Sequence, residues 1–389
     1  MSKKVLIGLV IVVLVVVAAV LSTLMKKPAL LPPEVVPSEV VPSEVVPPEK
    51  VKKVFFAHSY DPGDVCGQPQ DEGAVAMFEK LGYKEGVNLK IYRFYMDTKR
   101  TYTTLEQTKM RGEMAREEIK KVDPDVIMVF DDDAAREVML PLLDTKYPIV
   151  FSGMNAPIEV YDEKVDLMET REHPGHNVTG VLELLRIAES VKLFQEFLPL
   201  KKFLFISDTA PVGKAIRAGF LTELETYRGK FPAEVEMHEV GLFENYQEII
   251  LEANERKDID AIFPICVSLG TKDGRRVSPK EIVAWTLKNS LKPDIAPTFF
   301  FAQFGYLGGV TIDFPTLGGQ AAVKAVRILR GENPGEIPIE EAARYTFTIA
   351  INLARADQLG IEIPLEILGM ADQLYKTMSL YPEYEMREE

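Results

Sequence analysis

PDVIMVFDDDAAREVMLPLLDTKYPIVFSGMN, from Pro124 to Asn155, holds the fold in miniature. Asp125–Phe130 reads as a short strand, apolar from Val126 onward, and Tyr147–Ser152 as another, apolar up to Phe151. Short apolar segments of this length, alternating with amphipathic helices, read as strands of a parallel sheet. Between them, Ala134–Leu143 has the spacing of an amphipathic helix. Strand, helix and strand in succession make a βαβ unit, whose two strands lie parallel because the helix carries the chain back across the sheet.

The same alternation extends in both directions. Upstream lie strands Lys53–His58 and Asn88–Tyr95, with helices near Asp71–Leu81 and Tyr102–Lys121. Downstream, Asn177–Val181 reads as a strand and Leu182–Phe197 as a long helix. A second series follows, with strands Lys202–Ser207, Glu234–Val240, Ala261–Pro264 and Thr298–Phe301. Its helices fall near Val212–Arg228, Tyr246–Arg256 and Pro279–Asn289. Two βα series of similar size predict an α/β protein of two doubly wound lobes.

The tail adds a strand at Gly309–Asp313 and a helix at Pro315–Arg330, with Pro near its start and Gly331 just past its end. Phe347–Ile351, a helix over Asn352–Leu359, and Pro364–Leu374 come after it. Elements added after both lobes are complete imply that the chain crosses between them several times, which makes a hinge. The expected division is 51–183 with 303–332 for the first lobe, 184–302 with 333–376 for the second, and an acidic tail over 377–389.

Ahead of the lobes, Val5 to Met25 is an uninterrupted apolar run. At about 1.5 Å per residue it spans roughly 30 Å of hydrocarbon. It is longer than a secretory h-region and lacks a small-residue cleavage pattern, so it reads as an uncleaved anchor over 1–27. The repeat PPEVVPSEVVPSEVVPPEK follows, and its recurring prolines forbid a helix. As polyproline II, a spacer over 28–50 would reach up to roughly 70 Å from the membrane. Lys3 and Lys4 at one end balance Lys26 and Lys27 at the other, so the positive-inside rule does not orient the anchor.

The formal net charge is −14, and removing those four lysines leaves −18. Such a surface disfavours nucleic acid and anionic lipid. Two cysteines, Cys66 and Cys266, exclude a disulfide-rich scaffold and a Cys-based zinc site. They read as ordinary thiols, with a closure-dependent disulfide the sharper alternative. The histidines show no HExxH; His173 and His176 sit in EHPGHN, a turn. GxSxG and GxxxxGK[ST] are absent, and Asn177-Val178-Thr179 is the one N-x-[ST] sequon. No catalysis, cofactor or metal is expected.

In open α/β sheets ligands bind beyond the carboxyl ends of the strands. Those positions read HSYDPGD (His58–Asp64), Asp131-Asp132-Asp133, SGMN (Ser152–Asn155), SDTAPVG (Ser207–Gly213), CVSLG (Cys266–Gly270) and AQFGYLGG (Ala302–Gly309). Hydroxyls, carboxylates, amides and rings in this mixture suit a small polar or zwitterionic ligand. The candidate contacts are Ser59, Tyr60, Asp131, Ser152, Asn155, Asp208, Thr209, Ser268 and Phe304, with Tyr306 a further possible ring wall. Asp131 or Asp208 would meet an ammonium, and Ser59, Ser152 or Thr209 a carboxylate. The competing reading makes the Asp131–Asp133 run, Asp132 and Asp133 above all, and the hydroxyls of Ser59, Thr209 and Ser268 helix caps and first-turn residues.

HSYDPGD, YMDTKR (Tyr95–Arg100), PDVIMVFDDDA, IVFSGMNAP (Ile149–Pro157) and NVTGVLE (Asn177–Glu183) occur in this order. GGVTIDFPTLGGQAA, ILRGENPGEIPIE and FTIAINLARADQLGIEIP follow in the tail. As an ordered set covering Val51 to Tyr375, they resemble the ABC-type substrate-binding proteins of the uncharacterised and aromatic-amino-acid transport branch. The resemblance implies a type I periplasmic-binding-protein fold with three interlobe crossings. It also implies capture of a small solute, with an amino acid a candidate, and delivery to an ABC permease and its ATPase. The chain departs from the pattern in carrying an anchor and spacer where a lipid-modified Cys would stand. The function expected is a membrane-tethered solute receptor on the extracytoplasmic side. An extracellular sensor acting through a separate signalling partner is the alternative.

Overall fold

The computed structural model describes residues 50–343 and 347–387. The apolar run and the proline repeat lie outside these residues. Among the described residues no helix is long and apolar enough to cross a membrane.

The first lobe is built on strands β1 (Lys52–His58), β2 (Leu89–Tyr95), β3 (Val126–Phe130), β4 (Ile149–Met154) and β5 (Val178–Leu182), alternating with helices α1 (Gly67–Lys80), α2 (Leu105–Val122), α3 (Asp131–Ala134) and α4 (Glu159–Val165). All pairings in this sheet are parallel, in the order β12-β5-β4-β3-β1-β2, where β12 is the short return Glu340–Glu341. Side chains alternate across a strand, and in the inner strands β1, β3, β4 and β5 both faces are dry, whereas the edge strand β2 keeps one face open. Val54 and Phe56 enter the core beneath α1, while Phe55 and Ala57 enter the one beneath α2. This double burial is why these strands read as unbroken apolar runs.

The second lobe begins with α5 (Ile187–Gln195) and runs β6 (Lys202–Asp208), α6 (Pro211–Tyr227), β7 (Glu234–Val240), α7 (Phe243–Glu255), β8 (Ala261–Ile265), the small ribbon β9 (Leu269–Gly270) and β10 (Arg276–Val277), and α8 (Pro279–Asn289). β6 lies between β7 and β8. Phe205 on β6 is centred between Phe220 (4.6 Å) and Phe263 (5.5 Å). After α9 (Phe299–Phe304) comes β11 (Gly308–Ile312), then α10 (Phe314–Leu329), β12, β13 (Phe347–Asn352), α11 (Leu353–Leu359), α12 (Leu365–Met370) and β14 (Gln373–Tyr375). β13 lies between β11 and β14, and single bridges from Asp294, Ile295 and Thr298 join this group to β8 and β11.

The chain crosses between the lobes three times: after β5, after β11, and after β12. The crossings are tied together. Arg186 in the first donates to Glu341 in the third at 2.7 Å, and Gln320 on α10 bonds the backbone of both Glu341 and Ala343.

Several sequence expectations need correction. Thr298–Phe301 is not a strand. Its aromatic run turns as α9, with Phe300 packed on Phe301, Phe304 and Phe314, and Gly305 at φ +143° ends it. A short apolar run carries no periodicity that separates the two states. The long helix expected from Leu182 starts only at Ile187, because Glu183 N–H still bonds Met154 of the sheet at 2.8 Å and the following residues are the crossing. Ala134–Leu143 is a π-turn followed by a tight 3₁₀ turn around Pro141 rather than an α-helix. The strand at 308–312, assigned by sequence to the first lobe, pairs with β13 in the second. Glu340–Glu341, assigned to the second, pairs with β5 in the first. Strand partners separated by many residues leave no local signal.

Helix α10 seats on α1 because glycine allows it. A Cβ on Gly73 would lie 1.8 Å from Pro315 O, and one on Gly318 would lie 2.0 Å from Gln70 O.

Candidate functional site

The carboxyl ends of β1, β3, β4 and β5 converge on a group of buried polar side chains. Asp131 follows β3 directly. It is 2 % exposed and holds φ +67°, a left-handed conformation that Asp tolerates better than most residues. Its Oδ1 accepts from Gln70 Nε2 at 3.2 Å, whereas Oδ2 is buried with no hydrogen-bond partner. Gln70 is itself fixed by Ser152, whose Oγ donates to Gln70 Oε1 at 2.6 Å. Gly153 must lack a side chain here, since it holds φ +78° and a Cβ would lie 2.8 Å from the Gln70 amide and 3.0 Å from Asp131 Oδ1.

Burial pushes the Asp131 carboxyl well above the usual carboxylate range; Lys99 opposes this, and Asp64 and Asp132 add to it. Glu183, just past β5, is also buried. Its carboxyl is raised by that burial and by Asp131 and Asp132. Lys99 supplies the positive charge. Its Nζ lies 3.1 Å from Asp64 Oδ2 and 3.4 Å from the centroid of the Tyr60 ring. Burial works against the ammonium, but Cys66, Asp64 and Asp131 outweigh it and hold its pKa above normal. Burial likewise raises the Tyr60 hydroxyl and the Cys66 thiol. The arrangement concentrates acceptors beyond the carboxyl ends of these strands and leaves one oxygen of Asp131 without a donor.

The other sequence-chosen residues divide by what already holds them. Ser59 Oγ donates to Phe130 O (2.7 Å) and accepts from Ala134 N (2.8 Å), so it braces the turn after β3 and its only donor is used. Ser152 spends its donor on Gln70. Neither hydroxyl is free for a ligand carboxylate in this arrangement. Asp208 accepts from the N–H groups of Ala210 (2.8 Å), Val267 (2.6 Å) and Ser268 (3.0 Å), a loop brace rather than an open ammonium site. Asn155 donates from Nδ2 to Asp132 at 3.0 Å, and Tyr161 donates to the same carboxylate at 2.9 Å. Thr209 is exposed, Ser268 and Phe304 are half-buried, and Tyr306 is fully buried beside Phe301. The second lobe reaches the first at Gly219 of α6, where a Cβ would sit 3.0 Å from Asn155 O.

Cys66 and Cys266 are free thiols. Cys266 Sγ contacts Ile206 O at 3.6 Å, and Cys66 Sγ lies 3.6 Å from Lys99 Nζ. They serve different surroundings in the two lobes.

Sequence reasoning missed Gln70, Lys99 and Glu183. Lys99 and Glu183 also follow strands, so the strand-end rule applied to β2 and β5 points to them. Gln70 sits inside a helix and gives no such sign.

A family profile described as ABC transporter substrate binding protein matches residues 265–375. A curated protein, the tyrosine-binding protein of Clostridioides difficile (strain R20291), is 24% identical over 269 residues, covering 69% of this chain and 70% of its own. Among solved structures, an ABC domain from Streptococcus pneumonia in complex with L-Trp superposes with a TM-score of 0.64 at 19% identity, over 84% of this chain and 100% of that one. A ligand-free, open substrate-binding protein with adhesive properties from Clostridium difficile gives 0.60 at 20% identity, over 84% and 99%. At these identities the solved structures speak for the fold. Together the profile match and the shared fold bear out the resemblance carried by the ordered motifs, to the substrate-binding proteins of ABC transporters with the periplasmic-binding-protein fold.

Proposed function

We propose that this chain is an extracytoplasmic receptor that captures an amino acid, with an aromatic side chain as the favoured class, between its two lobes. It hands the ligand to an ABC permease and its ATPase, and the N-terminal apolar run tethers it to the membrane. The observation that carries the ligand class is Asp131. A buried carboxylate oxygen without a partner costs free energy until a donor arrives, and an α-ammonium group supplies both the donors and the opposite charge. Two relatives support the aromatic class through what they bind, tyrosine in one and L-Trp in the other. Closure around the three crossings would bury the ligand and present one joined surface to the permease.

Thermal shift of the purified protein against the common amino acids, with native mass spectrometry for a retained molecule, tests the reading. L-tyrosine or L-tryptophan should raise Tm. No shift with any amino acid and no retained small molecule would sink it. Protease accessibility of the lobes in intact cells tests the topology.

A further inference from the structure

His58 ends β1 and is 2 % exposed. Its ring is stacked between Tyr95 (4.7 Å) and Phe130 (4.6 Å), so it cannot turn. Nε2 lies 3.0 Å from Asp71 Oδ2. Asp71 is in turn gripped by Arg93, through Nε at 2.9 Å and Nη2 at 3.0 Å. A carboxylate held by a guanidinium stays ionised and accepts, so the imidazole proton sits on Nε2 and Nδ1 carries a lone pair. That Nδ1 is buried and has no hydrogen-bond partner.

The other orphan is Asp131 Oδ2, and the two meet at one place. The Cβ position of Gly67, the first residue of α1, is 3.7 Å from Asp131 Oδ2 and 3.7 Å from His58 Nδ1, the nearest atoms outside its chain neighbours and its own helix backbone. Both acceptors therefore border the same gap in front of Gly67, at most twice that distance apart, and a nitrogen placed between them would lie beyond the Cβ position, in contact with the Gly67 backbone rather than on it. His58 Nδ1, and Asp131 Oδ2 once the carboxyl ionises, are two buried acceptors without donors on either side of Gly67, and together they call for a cationic group with several N–H bonds and no lone pair. A primary ammonium has that chemistry.

Resting on the amino-acid reading above, we infer that His58 is a second anchor for the ligand ammonium beside Asp131, and that Gly67 is the residue that keeps their shared space open. Asp71 and Arg93 act through His58 by fixing its tautomer; they are positioning residues.

The test compares the full-length wild type with Gly67→Ala, His58→Phe and Asp131→Asn by calorimetric titration. The probes are L-tyrosine and its amine-free counterpart, 3-(4-hydroxyphenyl)propanoate. Alanine at 67 places a methyl at ordinary contact distance, so the fold is retained while the space is filled. Gly67→Ala and His58→Phe should each weaken L-tyrosine at least tenfold and leave the amine-free acid unchanged, a split that a merely structural defect would not produce. If His58→Phe fails to fold, Gly67→Ala decides alone. Wild-type affinity for L-tyrosine in Gly67→Ala, with loss in Asp131→Asn, overturns the inference and leaves the amino-acid reading intact. Wild-type affinity in Asp131→Asn, or no L-tyrosine binding by the wild type, removes that reading and the inference with it.

Discussion

Arg355 Nε lies 3.0 Å from Asp294 Oδ2, and both side chains are wholly removed from solvent. The pair joins three pieces of the second lobe. Asp294 Oδ1 accepts from Leu307 N–H at 2.7 Å ahead of β11, and Arg355 donates to the carbonyls of Leu287 (3.1 Å) and Ser290 (3.2 Å) at the end of α8. Removing one partner strands the other charge in a dry interior, at a cost of about 3–5 kcal/mol. Arg355→Met should therefore lower stability by that order in urea unfolding. Asp294→Leu with Arg355→Met should be less harmful than Arg355→Met alone. A single variant within about 1 kcal/mol of wild type would contradict this.

The contact between α1 and α10 depends on two absent methyl groups. Gly73→Ala and Gly318→Ala would each drive a Cβ into a backbone carbonyl that cannot yield without moving a helix. Each should cost about 1–3 kcal/mol in chemical denaturation, despite alanine being the better helix former. Gly369→Ala, where a Cβ meets nothing, is the control and should be close to neutral.

Asp131 and Asp208 should respond in opposite ways. Asp131 has a raised folded pKa, so the folded state binds the extra proton. Its stabilising contribution is complete below the unfolded carboxyl pKa and is lost as pH rises toward the folded value. Asp131→Asn, which also suits a left-handed backbone, should make the ligand-free protein more stable at pH 8 while abolishing amino-acid binding. Asp208→Ala should instead destabilise by roughly 1–3 kcal/mol, because three backbone N–H groups lose their acceptor. Melting curves of both variants with and without L-tyrosine distinguish the two roles.

Glu223 on α6 accepts from the N–H groups of Ile187 (3.2 Å) and Ala188 (3.0 Å), at the start of α5 just after the first crossing. Burial pushes its carboxyl up to about 7 against the pull of those N–H groups. The folded pKa is the higher one, so stability is fully present below the unfolded carboxyl pKa and falls as pH rises to about 7. Glu223→Gln should flatten this fall in melts taken across that window. An unchanged profile would mean that Glu223 titrates normally.

Thiol labelling checks the environment of Cys66, the residue before Gly67. Cys66 is half-buried and Cys266 is 2 % exposed, with both thiols raised by burial. A neutral-pH disulfide reagent should modify Cys66 slowly and Cys266 more slowly still. L-tyrosine should slow Cys66 further. Equal rates at both thiols, unaffected by ligand, would argue against a ligand beside Gly67.

Most of the alternation of strands and helices between Lys53 and Asn289 was legible because those elements each bury a pattern of their own; the short helix Glu159–Val165 and the ribbon Leu269–Gly270 with Arg276–Val277 were not, being too short to carry one. A strand dry on both faces has to be apolar throughout, and Thr104 with Gln107 or Ser278 with Glu281 marks a helix start locally through a capping box. The strand-end positions of Asp131, Ser152 and Asp208 were legible for the same reason. Their roles were not. Whether an aspartate is a brace or an open acceptor depends on which N–H groups arrive from elsewhere in the chain: three reach Asp208, and Gln70 reaches one oxygen of Asp131. The sequence by itself determined the α/β architecture and the doubling into two series, since periodicity is a local property. Only the tertiary structure decided that β12 returns to the first sheet and that Phe299–Phe304 is helical. It alone brought His58, Gly67 and Asp131 around one space, because these outcomes rest on contacts between distant segments.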